Sequence, residues 1–172
     1  MSENLRISGC IADSIVDGPG MRFVVFVQGC PHHCPGCHNP QTHDFAGGYL
    51  ADPEKIVKQV KADPLMSGVT FSGGEPFCQA KVLCELGRKI RELGKNIVVY
   101  SGYTYEQLLK KGESEPEVLE LLRLCDLLVD GPFIQEQRDL SLQFRGSRNQ
   151  RLINLKKMRE QDTWELIERP EG

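Results

Sequence analysis

The clearest hydrophobic pattern in the chain is the run RFVVFVQ at residues 22–28. A run without polar alternation is typical of a parallel strand covered on both faces, whereas alternation indicates a strand with one face in water. Residues 5–12 alternate only loosely. Between the two segments, Pro19 followed by Gly20 fits the central positions of a type II turn. Residues 22–28 are therefore predicted to form the first strand of a barrel-type sheet.

After residue 50, strand patterns alternate with helix patterns. Asp52 followed by Pro53 is a typical helix start, and apolar residues at helical spacing continue that helix to about Ala62. Strands that alternate with helices indicate a parallel sheet with right-handed crossovers. The last twelve residues are mixed and are expected to be peripheral. Further strands are predicted at 68–71, 96–100, 126–129 and 150–154, and further helices at 82–93, 105–110 and 116–124.

The length of the chain limits the architecture. A chain of 172 residues and 19.3 kDa suffices for one domain, residues 1–172, but not for two independent cores. A closed eight-unit barrel takes about 250 residues and seldom fewer than about 200. The predicted fold class is therefore α/β, a partial, open β/α barrel with a mostly parallel sheet. Its functional loops should follow the C-terminal ends of the strands.

Composition excludes several classes of function. With 40% hydrophobic and 26% charged residues and a net charge of -3, the chain is neither disordered nor a basic nucleic-acid binder. Its longest apolar stretch, residues 23–27, is too short to span a membrane, and its first residues lack the apolar region of a signal peptide. We therefore expect a cytoplasmic protein that binds neither nucleic acid nor membranes.

The cysteines point to metal chemistry. Seven cysteines, an odd number, argue against a disulfide framework in a reducing compartment. Cys30, Cys34 and Cys37 stand at CxxxCxxC spacing in a proline-containing loop directly after the first buried strand. Ordinary iron–sulfur clusters take four thiolates, so three leave one iron of a cubane open to bind a substrate. The other four are expected to be buried small hydrophobic residues, namely Cys10, Cys78, Cys84 and Cys125.

Two other interpretations of the cysteine loop stay open at this point. A closed zinc site of three cysteines and one histidine is chemically reasonable. A redox dithiol formed by Cys34 and Cys37 is also possible, although it leaves Cys30 unexplained. Zinc is supported by the position of all four histidines in this neighbourhood, His32, His33, His38 and His43.

Further segments occur in order around the cysteines. They are DGPGMR at residues 17–22 followed by FVVFVQGC, then CHNPQT, then TFSGGEP at residues 70–76. Together with CxxxCxxC they resemble the radical S-adenosylmethionine (SAM) superfamily, and within it the small activating enzymes of glycyl-radical enzymes. The similarity covers roughly residues 5–155. The short chain is most similar to the members that activate anaerobic ribonucleoside-triphosphate reductase.

This resemblance implies an enzyme, a radical SAM oxidoreductase. Cys30, Cys34 and Cys37 would hold a [4Fe-4S] cluster whose fourth iron binds the amino and carboxylate groups of SAM. Reductive cleavage of SAM would give a 5′-deoxyadenosyl radical, which abstracts a hydrogen from a glycine of the partner, a class III anaerobic ribonucleoside-triphosphate reductase. The resemblance implies a reduced flavodoxin-like protein as the electron donor. It implies no catalytic side chain beyond the residues that hold the cluster and SAM. Activation of a different glycyl-radical enzyme and modification of a small molecule stay open as alternatives.

The resemblance also assigns contacts with SAM. The loop at residues 72–76 matches the GGE motif that binds the methionyl amino group, where glycines let the backbone approach a ligand. Because Gly36 stands where many members have an aromatic residue, the resemblance leaves adenine contact to His38 or to no residue at this place. The expected cofactor-binding residues are Ser72, Gly73, Gly74, Glu75, Pro76, Ser101, Asp130 and His38.

The same residues have structural alternatives. Glu75 would also suit the start of the next helix, where an acid favours the helix dipole. Ser101 and Asp130 follow predicted strands, where serine and aspartate often cap helices. Arg145 and Arg148 could meet a carboxylate or an acidic partner loop, but we expect both to be solvated surface residues.

Overall fold

The computed structural model describes residues 3–37 and 39–170 and contains a seven-stranded sheet. Its strand order is β3-β1-β2-β4-β5-β6-β7. The strands are β1 (Leu5–Ser14), β2 (Arg22–Val27), β3 (Tyr49–Ala51), β4 (Gly68–Gly73), β5 (Asn96–Tyr100), β6 (Leu127–Asp130) and β7 (Arg151–Ile153). The helices are α1 (Pro53–Lys61), α2 (Ala80–Glu92), α3 (Tyr105–Gly112), α4 (Pro116–Leu124) and α5 (Leu155–Glu160).

The sheet is parallel in its centre and antiparallel at its edges. Strands β2, β4, β5 and β6 pair in parallel, whereas β1 and β3 add an antiparallel edge on one side and β7 adds one on the other. The expected α/β fold with an open sheet is confirmed. The antiparallel direction of the edge strands was not predicted, because it depends on pairing between distant segments and not on local periodicity.

The central units lie close to their predicted positions. Strand β5 has the predicted bounds, while β4 extends two residues beyond its predicted end, through Ser72 and Gly73. Helix α1 begins as expected, because the Asp52 side chain accepts a hydrogen bond from the Glu54 backbone N–H at 3.0 Å and Pro53 occupies the first helical position. Among the helices in the described part of the chain, none has the length and apolar character that a membrane crossing requires.

The C-terminal segment is more ordered than its sequence indicated. Helix α5 was not predicted, and it buries Leu155 and Met158. The residues that follow α5 pair with the segment around β7. The backbone N–H of Asn154 donates to the Ile167 carbonyl at 2.7 Å, and the Arg169 N–H donates to the Leu152 carbonyl at 2.7 Å. These backbone hydrogen bonds hold the tail against β7, and residues 161–170 include no buried residue, so the tail lies at the periphery as expected.

The two faces of the sheet differ. One face carries the main apolar core, in which strand residues such as Phe71 and Val99 pack with residues of the helices. The other face carries a small cluster around Val98, Val129 and Leu152. Tyr100 and Phe144 pack against this small cluster and line a cavity.

A buried arginine lies at the start of β2. Arg22 has no exposed surface, and its guanidinium donates to the Thr70 hydroxyl at 2.7 Å, the Val69 carbonyl at 2.8 Å and the Pro19 carbonyl at 2.9 Å. Burial lowers the pKa of Arg22 to about 10, so the group stays charged at neutral pH. Through these bonds the predicted turn near Pro19 is fixed against β4.

Candidate metal centre

A cavity of about 600 Å³ lies at the C-terminal ends of the parallel strands. Because β2, β4 and β5 pair in register, with Val27 opposite Gly73 and Phe71 opposite Val99, the loops that follow them meet at one edge of the sheet. The volume is within the range of small-molecule sites in proteins. The predicted site residues that line the cavity are Cys30, Cys34, Cys37, Ser72, Gly73, Gly74 and Ser101.

The cysteine loop is held in place by its own backbone. The N–H of Gly29 donates to the Thr42 carbonyl at 2.7 Å, and that of Cys30 donates to the His43 carbonyl at 3.1 Å. The Gln28 amide bridges the loop further, donating to the Asp44 carbonyl at 2.7 Å. Hydrogen bonds between the two ends of the loop therefore fix the segment that carries the three cysteines.

The surroundings of the sulfur atoms suit metal ligands. Burial raises the pKa of the Cys30 and Cys34 thiols. For Cys30 this is opposed by backbone N–H groups of His32 and His33 that hydrogen bond to its sulfur. The Cys37 sulfur accepts from a backbone N–H at 3.4 Å. Such donors stabilise a thiolate, which is the form that binds metal, so the chemistry of this donor set fits an iron–sulfur cluster.

His32, His33 and His43 contact other side chains near the cysteines. Across residues 3–37 and 39–170, no three His, Cys, Asp or Glu side chains are grouped closely enough to hold one ion. The ring of His33 lies edge-on to that of His43, with centroids 5.0 Å apart, and His32 contacts Glu75. Three thiols distributed around one cavity suit a polynuclear cluster, in which each cysteine binds a separate iron.

The glycine loop after β4 lies directly against the cysteine loop. The N–H of Gly74 donates to the Val27 carbonyl, and the N–H of Glu75 donates to the Gly29 carbonyl, both at 2.8 Å. A Cβ at Gly74 would lie 2.3 Å from the Gly29 oxygen, so this approach requires glycine. The two motifs that were predicted separately therefore form one surface.

The Glu75 carboxylate is fully buried beneath this surface and is not part of the cavity lining. It accepts hydrogen bonds from the Ser101 hydroxyl at 2.9 Å, the Gly102 N–H at 2.8 Å and the Phe77 N–H at 3.0 Å. Its fourth partner is His32 Nε2 at 2.7 Å. The geometry thus gives no support to a direct contact between the Glu75 carboxylate and a ligand.

Three more predicted site residues do not line the cavity or cannot be placed. Asp130 accepts from Arg151 Nε at 3.1 Å and from the Tyr105 N–H at 2.7 Å, which is the structural alternative considered for it. Pro76 begins a short 3-10 turn outside the cavity lining. His38 lies outside the described residues. Contact of these residues with SAM stays a prediction.

Other residues line the cavity without having been predicted to do so. Arg145 is one of them, and the expectation that it is a solvated surface residue was wrong, whereas Arg148 is exposed as expected. The polar sequence around the two arginines does not show which of them lines the cavity, because this depends on the turn at Ser147. Ser147 is buried, and its hydroxyl accepts from the Ile134 N–H at 3.2 Å.

The remaining cysteines divide into two groups. Cys84 and Cys125 are buried, as expected, while Cys10 and Cys78 are exposed, which corrects the expectation for those two. Neither exposed cysteine lines the cavity. Of the seven cysteines, those of the CxxxCxxC motif are thus the ones that line the cavity.

Comparisons with known proteins agree with this geometry. The family described as "4Fe-4S single cluster domain" matches residues 16–153. The chain is 38% identical over 144 residues to an anaerobic ribonucleoside-triphosphate reductase-activating protein of Haemophilus influenzae, covering 79% of this chain and 89% of the relative. Its identity to the protein of the same name from Escherichia coli K12 is 35% over 150 residues, covering 83% and 94%. A pyruvate formate-lyase-activating enzyme of Clostridium pasteurianum is 39% identical over 114 residues, covering 61% of this chain and 48% of that enzyme.

Proposed function

Because this chain belongs to the family of anaerobic ribonucleoside-triphosphate reductase-activating proteins, we propose that it generates a glycyl radical on such a reductase. The observation that carries this proposal is the meeting of Cys30, Cys34 and Cys37 with the glycine loop in one cavity. The cavity lies where functional loops of parallel α/β sheets are found, beyond the carboxyl ends of the strands.

In this proposal Cys30, Cys34 and Cys37 hold three irons of a [4Fe-4S] cluster. When bound, the cluster would supply one electron and an open iron for the reductive cleavage of SAM, the chemistry that generation of a glycyl radical on the partner requires. The backbone N–H groups around the sulfurs stabilise the thiolate form of the ligands.

The glycine loop provides the proposed surface for SAM. Ser72, Gly73 and Gly74 line the cavity next to the cysteine loop, and the glycines let a ligand approach their backbone without meeting a side chain. Phe133 and Phe144 contribute apolar wall, which helps to exclude water from a reactive radical. Arg145 places a permanent positive charge in the same lining, which suits the carboxylate of the methionyl group.

The protein has to meet two partners in this reaction. The first is an anaerobic ribonucleoside-triphosphate reductase, whose glycine must reach the cavity. The second is an electron donor, for which we propose a reduced flavodoxin-like protein. Ile15 and Leu140 line the cavity and are exposed, so the cavity is accessible from outside, as transfer of a radical to another protein requires.

The test is anaerobic reconstitution with iron and sulfide, followed by reduction in the presence of SAM. We expect methionine and 5′-deoxyadenosine as products and, when the reductase is added, the doublet of a glycyl radical in electron paramagnetic resonance. A Cys34→Ala variant, prepared in parallel, should give neither product nor doublet. An intact cluster that never cleaves SAM would refute the proposed activity. Cleavage without a doublet on the reductase would refute the partner, leaving a different glycyl-radical enzyme or a small molecule as substrate.

A further inference from the structure

We propose that the hydrogen bond between Glu75 and His32 is a positioning contact that fixes the cysteine loop against the glycine loop. The inference rests on the proposed function and deepens it. It gives Glu75 a role beneath the SAM-binding surface in place of direct contact with SAM. It also assigns a function to His32, which the CxxxCxxC spacing leaves unspecified.

The bonding capacity of the Glu75 carboxylate is already used. A carboxylate offers about four acceptor positions. The donors to Glu75 are His32 Nε2, the Gly102 N–H, the Phe77 N–H and the Ser101 hydroxyl, which lies within 2.9 and 3.0 Å of the two oxygens. Since the side chain has no exposed surface, an ammonium group from a ligand has neither a path to it nor a free acceptor position.

These donors come from the loops that follow three neighbouring parallel strands. His32 belongs to the cysteine loop after β2, Phe77 to the segment after β4, and Ser101 and Gly102 to the loop after β5. A single buried acceptor that collects donors from three loops sets their positions relative to one another, because each unpaired donor would carry a desolvation cost. Glu75 is therefore placed where it can hold the site together.

The His32 ring is fixed in its orientation. It lies edge-on to Tyr103, with centroids 4.5 Å apart at an interplanar angle of 79°. It also fills the space above Gly102, where an added Cβ would lie 2.3 Å from the ring Cδ2. Because an ionised carboxylate only accepts hydrogen bonds, Nε2 carries the proton in this contact.

The position of His32 in the sequence connects this contact to the proposed cluster. It stands between Cys30 and Cys34, two of the three proposed ligands. A shift of the His32 backbone would therefore move both sulfurs relative to the glycine loop. Partners of metal ligands in the surrounding shell typically change metal affinity or activity about 10- to 100-fold when they are removed.

The test compares variants that remove or conserve the donor. His32→Leu removes it, whereas His32→Gln keeps a nitrogen donor at a similar distance from the backbone. Lys110→Leu is the control, because Lys110 is an exposed residue of α3 that does not line the cavity. We expect His32→Leu to weaken SAM binding to the reconstituted protein about 10- to 100-fold, and His32→Gln to recover most of that loss. The control should retain the affinity of the unchanged protein.

A double-mutant cycle separates an indirect role from a direct one. If His32 acts through Glu75, the His32→Leu/Glu75→Gln double variant will bind SAM about as weakly as Glu75→Gln alone. Additive losses would overturn the proposal, because they would show that the two side chains act independently. Unchanged affinity in His32→Leu would overturn it as well.

A measurement without cluster distinguishes failure of this inference from failure of the proposed function. It uses the metal-free protein and follows the Gly102 amide, which donates to Glu75. We expect hydrogen exchange at Gly102 and in residues 29–37 to be faster in His32→Leu than in the unchanged protein. Equal exchange rates would refute the positioning contact even if the unchanged protein were to bind neither cluster nor SAM. The unchanged protein could instead bind neither cluster nor SAM while His32→Leu still exchanges faster. That result would refute only the proposed function.

Discussion

At the scale of single residues, the cysteines differ in what surrounds each sulfur. Burial raises the pKa of Cys84 to about 12, and it raises that of Cys125 well above the ordinary value. Both therefore stay protonated at neutral pH, and both pack in the core. Cys34, in contrast, lines the cavity, and a backbone N–H of Phe133 hydrogen bonds to its sulfur.

This difference predicts unequal effects of alanine substitution. Cys34→Ala should leave the reconstituted protein with little iron and sulfide, because a cluster ligand is lost. Cys125→Ala should keep the iron content and lower the free energy of unfolding by about 1 kcal/mol, since a small buried side chain is removed from packed surroundings. Iron and sulfide analysis, together with urea unfolding of the metal-free proteins, measures both. Equal loss of iron in the two variants would contradict the assignment of the cysteines.

The buried Arg22 gives a second prediction at this scale. Arg22→Met should lower the free energy of unfolding by about 3 kcal/mol, because the Val69 and Pro19 carbonyls lose their donor in the protein interior. Arg88→Met is the control, since Arg88 is exposed and its ion pair with Glu120 contributes less than about 1 kcal/mol. Urea unfolding of the metal-free proteins tests the difference. Similar stability of the two variants would show that the buried hydrogen bonds are dispensable.

At the scale of elements, the edge formed by β6 and β7 is held by one arginine. Arg151 donates to the buried Asp130 and also to the exposed Glu106 of α3. Removal of Arg151 would leave the buried Asp130 carboxylate uncompensated, and such a loss typically lowers stability by about 3 to 5 kcal/mol. The exposed pair of Arg151 with Glu106 contributes less than about 1 kcal/mol. Asp130 therefore links two strands and a helix next to the cavity.

Two substitutions test this edge. Arg151→Leu should lower the free energy of unfolding by about 3 kcal/mol, and Glu106→Gln by less than about 1 kcal/mol. The hydrogen bond from Arg151 lowers the pKa of Glu106 below its ordinary value of 4.5. The contribution of Glu106 is therefore fully present above that ordinary value and is lost as the pH falls through the lower folded value. Urea unfolding at pH 7 and at successively lower pH should show the small effect of Glu106→Gln diminishing as the pH falls.

The elements also show what the sequence could predict. The central strands and α1 were predicted because apolar periodicity and a proline after an N-cap residue are local properties. Strand β3 was not predicted, because Tyr49–Ala51 forms a strand only by pairing with β1. The antiparallel direction of β7 was not predicted either, because Arg151–Ile153 acquires it by pairing with β6.

The candidate site was predictable to a similar extent. Loops that follow adjacent parallel strands must meet, so the cysteine motif and the glycine loop could be placed together from spacing alone. The same rule predicts Asp130 at this rim; its side chain accepts from Arg151, and its contact with SAM stays a prediction. Neither the position of Arg145 in the cavity lining nor the contact of His32 with Glu75 follows from the rule, because each depends on how a loop folds back.

At the scale of the whole molecule, the rim of the cavity is apolar and exposed. Ile15 and Val16, at the end of β1, and Leu140, in the connection between β6 and β7, line the cavity and are each more than half exposed. Exposed apolar residues grouped at the mouth of a site are typical of surfaces that meet another protein. The proposed transfer of a radical requires such a meeting, since the glycine belongs to the reductase.

The exposed rim leads to a prediction that separates the partner from the chemistry. Leu140→Asp should slow formation of the glycyl doublet about tenfold, as expected for a contact residue in a protein interface, while the protein alone still cleaves SAM at its usual rate. Leu65→Asp is the matched control, because Leu65 is equally exposed, at 79% against 82% for Leu140, but does not line the cavity. Electron paramagnetic resonance and 5′-deoxyadenosine analysis on the same samples measure the two steps. If Leu140→Asp and Leu65→Asp slow the doublet equally, the reductase does not reach the cavity across Leu140, and its glycine must enter from another side.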